Sequence, residues 1–314
     1  MPINTLASFF LSLVLSIIGF KIYLKYFKSF LPKYVRDYGP KSHLAKQGTP
    51  TMGGAVIWLS TLITLLILAP NREIIASLLL ITGYAFIGGI DDYLGIKKKS
   101  SQPSKARYKF AIECIITLIW LLTVKHFSIF DLKADFLLFH ITSTFWIYVF
   151  ETLFIVGMAN AVNETDGVDG LAGTITSILL VFIFMMFKDT NLSLLTLALL
   201  GGLSVFLFYN AHPAKLIMGD VGSLSLGSSI AVLGIIVGKE WIVLILGVVF
   251  LIEAFSVMLQ VPYYKLTKKR IFKMTPIHHH FELSGWSEPQ IVTRFSLLTL
   301  IAAILGVFIN GPKW

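Results

Sequence analysis

The sequence predicts an all-α polytopic membrane protein, and two observations lead there. The 314 residues are 56% hydrophobic and only 14% charged, with a mean hydropathy of +0.80, whereas soluble domains average roughly 45–50% apolar and about 25% charged. The apolar residues also gather into runs of the right length, since a helix crossing a hydrocarbon core of roughly 30 Å needs about 20 of them. An ordinary cytosolic domain and a disordered chain are both excluded.

Taken in order, the runs bounded by charge or by Gly/Pro clusters are 5–27, 52–69, 74–94, 109–124, 141–159, 173–187, 192–209, 224–237, 241–264 and 293–310. Ten transmembrane helices are therefore expected. The first follows Met-Pro-Ile-Asn-Thr with no Lys or Arg and ends in no small-residue cleavage pattern, so it reads as a retained span rather than a signal peptide. The eighth is short for a crossing and the ninth long, which suggests a tilt or a bend near Pro262. No internal repeat or long polar loop divides the chain, so residues 1–314 read as a single integral-membrane domain. The single cysteine, Cys114, allows neither an intramolecular disulfide nor a thiolate zinc site.

Charge orients the spans. The loops 21–50, 95–109, 160–172, 210–223 and 265–294 carry 20 of the 26 Lys and Arg, and the alternate loops with the termini carry 6. The positive-inside rule puts the first set in the cytosol and both termini outside. Cations at a membrane surface account for the net charge of +9 without nucleic acid.

The polar residues without a topological task lie in the same five loops or at the span ends beside them. Lys46-Gln47-Gly48-Thr49-Pro50-Thr51-Met52-Gly53-Gly54 combines residues that let backbones approach closely with hydroxyls that open a helix. Asp91-Asp92 closes an apolar span, where adjacent carboxylates need a cation or proton to offset them. Magnesium suits them better than zinc, because it takes oxygen ligands and completes its shell with water and phosphate. In 160–170, Asn160, Asn163, Asp166 and Asp169 recur every third residue, a row that one helix cannot keep on one face. A break near Gly167 would let both halves face a cleft. In 210–223, Asn210, Gly219, Asp220 and Ser223 lead into the eighth span, and glycine amides at a helix start beside an acid suggest an anion site bridged by a metal. Pro276-Ile277-His278-His279-His280-Phe281-Glu282 is read as extended, so that His278 and His280 point one way and His279 the other. Phosphate-binding imidazoles fit it better than a zinc site. On the ninth span Glu253, Ser256 and Gln260 form a polar stripe, with Glu253 expected to be buried and neutral and Gln260 to reach the cleft. This inventory suits metal-assisted phosphoryl transfer between a lipid phosphate and a soluble diphosphate.

The blocks 46–54, 91–93, 160–172, 209–223 and 276–282 resemble, in order and over nearly the whole chain, the polyprenyl-phosphate N-acetylhexosamine-1-phosphate transferase superfamily. The Pro-Ile-His-His-His-Phe-Glu block is the more specific mark of its muramoyl-pentapeptide branch. The resemblance implies ten spans in a bacterial cytoplasmic membrane, a cytosolic active site, Mg²⁺ and a homodimer. It also implies transfer of phospho-N-acetylmuramoyl-pentapeptide from its UDP conjugate to undecaprenyl phosphate, giving lipid I and UMP. Carried over by position, Asp220 would ligate the metal with Asp91 and Asp92 in or beside that centre, and His279 would join the catalytic set. Lys46, Thr51, Lys109, Asn160, Asn163, Asp166, Asp169, Asn210, Gly219, Ser223, Gln260, His278 and His280 would line the substrate cleft. The sequence departs from the pattern at Gly95, Glu164 and Ile217. The last, where an aromatic residue is expected, has no π-face to stack on uracil. Two alternatives stay open: a sister enzyme using UDP-N-acetylglucosamine, which would lack the three-histidine block, and a secondary transporter, which would place ionisable groups at mid-membrane and repeat half of its sequence.

Overall fold

Each of the ten apolar runs coincides with a helix in the computed structural model, which describes residues 3–29, 31–32, 46–100, 105–132, 134–136, 139–187 and 190–310. The elements are α1 (Ile3–Tyr26), α2 (Gly54–Leu68), α3 (Arg72–Lys98), α4 (Ala106–His126), β1 (Ala134–Phe136), β2 (Phe139–Ile141), α5 (Thr144–Thr165), α6 (Leu171–Phe187), α7 (Leu192–Asn210), α8 (Asp220–Val237), α9 (Glu240–Leu246), α10 (Val248–Thr267), α11 (Ile277–Glu282) and α12 (Glu288–Asn310). Seven of these, α1, α3, α5, α7, α8, α10 and α12, are long and apolar enough to cross a membrane. Helices α2 and α6 are equally apolar but only 15 and 17 residues long. Residues 33–45 of the first loop, and Lys133, Lys188 and Lys313 from the charge count, lie outside the described residues.

Three features differ from the sequence reading. The segment before α5, expected as plain loop, pairs β1 with β2 as a short antiparallel hairpin in which Asp135 faces His140, so the described residues are not wholly helical. The eighth run extends back to Asp220, giving α8 18 residues, so it is not short. The ninth run breaks at Gly247, between α9 and α10, while α10 continues through Pro262. Glycine has the least helical preference of any residue except proline, and here the Gly247 amide still reaches the Val243 carbonyl at 2.8 Å, so the break leaves that donor satisfied.

Helix α8 is the buried axis of the bundle, packed against α2, α3, α5, α6 and α9, with 83% of its most apolar window buried. Its composition explains this position. Ser225, Ser228 and Ser229 turn their hydroxyls back onto the helix, donating to the carbonyls of Gly222 and Ser225 at 2.7–3.0 Å. They therefore present small surfaces with no unmet polar group, the type of interface that lets helices in lipid approach closely. The approach leaves no room for a side chain at several glycines, of which two show it. A Cβ at Gly88 on α3 would lie 2.2 Å from the Asp220 carbonyl oxygen, and one at Gly227 on α8 would lie 2.5 Å from the Ala159 Cα on α5. The obstacle is backbone in both cases, which rotamer changes cannot relieve.

Gly227 lies well inside α8, away from its polar start, and so offers a clean test of this packing. Gly227→Ala is expected to lower the thermal midpoint of the purified protein, because overpacking a rigid contact costs about 1–3 kcal/mol. Gly157→Ala, where nothing lies within 4 Å of the new Cβ, should be neutral or slightly stabilising, by up to about 1 kcal/mol. Thermal unfolding followed by tryptophan fluorescence checks both.

Candidate active site

The polar loops meet where α3 and α5 end and α4, α8 and α12 begin. A run of backbone hydrogen bonds sets the first contact: Gly53 and Gly54 donate their amides to the carbonyls of Ile217 and Met218 at 2.9 Å, and Ile217 donates to Pro50 at 2.8 Å. Ile217 is buried, so its backbone holds the first loop and its side chain offers no platform for a base. The same pairing brings Thr51 against Gly219. Gly219 has φ +75°, and a Cβ there would lie 2.6 Å from Asp92 Oδ2 and 3.0 Å from Thr51 Oγ1. Only glycine can make this turn and admit both neighbours.

Three carboxylates converge beyond Gly219. Lys109 Nζ donates to Asp220 Oδ2 and stands 3.8 Å from Asp91 Oδ2. Asp92 Oδ2 accepts the Val221 amide at 3.0 Å, so the start of α8 holds one carboxylate through its backbone while presenting another from its own first residue. Asp91 and Asp220 thus share the Lys109 ammonium, with Asp92 beside them against the start of α8. Three carboxylates at one corner, all oxygen donors, fit a hard divalent cation such as Mg²⁺. Ser223, one turn into α8, donates to Asn163 Oδ1 at 2.7 Å and ties the Asn-rich segment to the same corner. Asn160 donates to Glu113 Oε2 at 2.5 Å.

A second cluster lies beside the first loop. Lys46 Nζ is 2.7 Å from both Asp169 Oδ1 and Glu288 Oε2. The other oxygen of Asp169 accepts the Ala214 amide at 2.9 Å and lies 3.2 Å from His212 Nδ1. Burial alone would lower the Lys46 pKa, but the carboxylates of Glu288 and Asp169 outweigh it and hold the ammonium above its usual range. Burial would likewise raise Asp169, and here the Lys46 charge, with hydrogen bonds from Lys46 and Ala214, wins and holds the carboxyl below its usual range. Asp169, His212 and Glu288 could also hold a metal by their spacing, with ligand atoms within 4.8 Å of one another. Lys46 is the cation found between the two carboxylates. Asn210 organises the adjoining turns, accepting from the Gly170 amide at 2.9 Å and donating to the Leu216 carbonyl at 2.8 Å.

The break expected near Gly167 is present: α5 ends at Thr165, Asp166 follows as its cap, and α6 starts at Leu171. Asn160 and Asn163 therefore lie on a helix while Asp169 lies on the turn after it. The histidine block departs from the extended reading. It forms α11, a short six-residue helix after Pro276, so the three rings do not alternate. His278 is fully buried with Nδ1 3.2 Å from Glu253 Oε1, and presents no surface to a ligand. Burial opposes its charge, yet Glu253, with smaller help from Glu282 and Glu164, raises its pKa. Glu253, expected neutral, thus faces an imidazole. His279 Nδ1 lies 2.7 Å from Glu282 Oε2, which fixes the ring. His280 Nδ1 accepts the Lys273 amide at 3.1 Å, and Gln260 Oε1 accepts the amides of Ile271 and Phe272 at 2.9 and 2.8 Å. Both hold the preceding loop in place.

Three residues here escaped the sequence reading. Glu113 follows Lys109 by one helical turn inside an apolar run, where a buried acid is a functional signal in its own right. His212 and Glu288 carried no such mark, because the folding of separate loops alone brings them to Lys46 and Asp169.

Comparison with known proteins places these residues in a family. Residues 74–238 match glycosyl transferase family 4. The chain is 41% identical over 288 residues to a phospho-N-acetylmuramoyl-pentapeptide-transferase of Staphylococcus epidermidis, covering 88% of this chain and 89% of the relative. It is 39% identical over 315 residues to the enzyme of that name from Caldicellulosiruptor bescii, covering 98% of each, and 40% identical over 314 residues to that from Listeria innocua, covering 96% of each. With the carboxylate corner, the Asn-rich turn and the histidine helix in one place, the chain belongs to glycosyl transferase family 4 and, within it, to the phospho-N-acetylmuramoyl-pentapeptide-transferases.

Proposed function

We propose that this protein transfers phospho-N-acetylmuramoyl-pentapeptide from its UDP conjugate to undecaprenyl phosphate, releasing UMP and forming lipid I in a bacterial cytoplasmic membrane. The observation that carries this reading is the meeting of Asp91 and Asp220 on Lys109, with Asp92 against the start of α8 beside them, at one end of an apolar helical bundle. The charge pattern supports ten spans with that end in the cytosol, where a soluble UDP conjugate meets a membrane-embedded acceptor. Helices α2, α4 and α6 would then complete the set.

The chemistry asks little covalent work of the protein. A phosphomonoester is largely dianionic at pH 7, its second pKa being near 6, so the acceptor needs no strong base. We favour its direct attack on the sugar-linked phosphorus, with UMP leaving. Asp91 orients the attacking oxygen or takes a residual proton, and Lys109 faces the phosphates with its ammonium. Asp220, Asp91 and Asp92 would hold a Mg²⁺ ion, which when bound neutralises charge on the diphosphate. Lys46, Asp169 and Asn210 hold the nucleotide side of the donor. His279, oriented by Glu282, donates toward phosphate.

The metal reading predicts that Asp220→Ala and Asp220→Asn both lose several powers of ten in turnover with Mg²⁺ present, since aligned electrostatic stabilisation is the main source of rate in such a site. UMP release by the folded variants checks it, and more than a tenth of the unmodified rate would contradict it. The orientation predicts that a cysteine at exposed position 284, introduced as Ser284→Cys in a Cys114→Ala background, resists an impermeant thiol reagent applied to intact cells. Labelling from outside would reverse the topology.

A further inference from the structure

Glu288 lies outside every motif that marks this site, yet one of its oxygens joins three of the site's segments. Glu288 Oε2 accepts from Lys46 Nζ at 2.7 Å and from the Asp169 amide at 2.9 Å, and lies 3.8 Å from His212 Nδ1. Its side chain is only 7% exposed. It belongs to the first turn of α12, so the helix fixes its backbone, while the residues it contacts come from the 46–54 loop, the turn between α5 and α6 and the turn after α7. Lys46 is flanked on both sides: Asp169 Oδ1 holds it at the same 2.7 Å. A lysine ammonium on a four-carbon stem has many rotamers, and one carboxylate leaves it free to pivot. Two carboxylates on opposite segments fix its position. Hydrogen bonds between ionised partners are the strong kind, and burial strengthens them further.

We propose that Glu288 is a positioning residue for the UDP-linked donor: it holds Lys46 and the Asp169 turn in the arrangement that the donor meets. It touches no reacting atom. This rests on the reading above that Lys46 and Asp169 hold the nucleotide side of the donor. The consequence is selective, because a displaced Lys46 weakens capture of the donor while the carboxylate corner around Lys109 keeps its geometry.

Steady-state kinetics of the purified full-length protein test this, with the UDP-linked donor varied at saturating undecaprenyl phosphate and then the reverse. In Glu288→Gln the donor KM is expected to rise about tenfold, the loss expected for a charge-assisted hydrogen bond, with kcat changed by less than about threefold and the acceptor KM unchanged. Glu288→Asp, which keeps the charge on a shorter stem, should recover part of the loss. A purely structural role would lower kcat and the folded fraction without a selective donor effect, and that result would overturn the proposal. Lys46→Met, measured alongside, separates the two levels. If it raises the donor KM while Glu288→Gln does not, the role of Glu288 is refuted and the donor reading stands; if Lys46→Met leaves the donor KM unchanged, the donor reading falls and the proposal with it. The Glu288→Gln, Lys46→Met double variant should be no worse than Lys46→Met alone, since the two residues act as one unit. If Glu288→Gln does not fold, Glu288→Asp carries the test, and an unchanged donor KM there with a raised one in Lys46→Met refutes the proposal equally.

Discussion

The close approach of α8 to its neighbours is the constraint from which the site follows. Because α3 carries glycine where it meets the Asp220 carbonyl, the acidic end of α3 lies beside the first turn of α8 rather than a side chain's width away. Because Gly219 has no Cβ, Asp92 and Thr51 both crowd the turn that begins the helix. Three carboxylates are thereby brought to one corner, an arrangement whose repulsion must be offset. Lys109 supplies a positive charge there, and the oxygen donors around it suit a divalent cation, through which a phosphate can be held. The glycines at the contact of α3 with the start of α8 thus both pack the bundle and bring its carboxylates together.

Charge compensation separates the site into two working parts. At the Lys109 corner acids outnumber bases, which suits a metal and a transferring phosphate. At Lys46 two carboxylates enclose one ammonium in a buried, hydrogen-bonded knot, and such a knot gives definition more than attraction. Breaking it by removing one partner leaves the other buried and uncompensated, which is costly wherever burial is this complete. The histidine helix is built the same way: His278 anchors it to Glu253 from within, so that His279 is carried on a fixed turn.

Much of this was legible in the sequence, for identifiable reasons. Apolar runs reveal helices because hydropathy is a local property, and each of the ten runs is helical. The polar loops could be grouped because the positive-inside rule counts charges without needing contacts, and Lys46, Asp91, Asp220 and Asp169 do meet at one end. What could not be read depended on tertiary structure or fine local geometry. The β1–β2 hairpin has strands of only three residues, Ala134-Asp135-Phe136 and Phe139-His140-Ile141, too short for their alternation to announce it. The break falls at Gly247 instead of near Pro262, since glycine disfavours a helix and α10 runs on through the proline. The histidines were read as extended because a three-residue polar run has no periodicity, whereas Pro276 starts a helical turn there. Glu288 and His212 take their meaning only from residues far away in the chain.

With this corner and the histidine helix together, the protein transfers a phospho-muramoyl-pentapeptide, and not another sugar phosphate, to a lipid phosphate. The most direct measurement gives purified protein undecaprenyl phosphate and Mg²⁺ with either UDP-N-acetylmuramoyl-pentapeptide or UDP-N-acetylglucosamine, and follows UMP and lipid-linked sugar together. The account predicts equal amounts of UMP and lipid I from the first donor and neither product from the second. Turnover of UDP-N-acetylglucosamine in its place, or UMP release without a lipid-linked product, would contradict it.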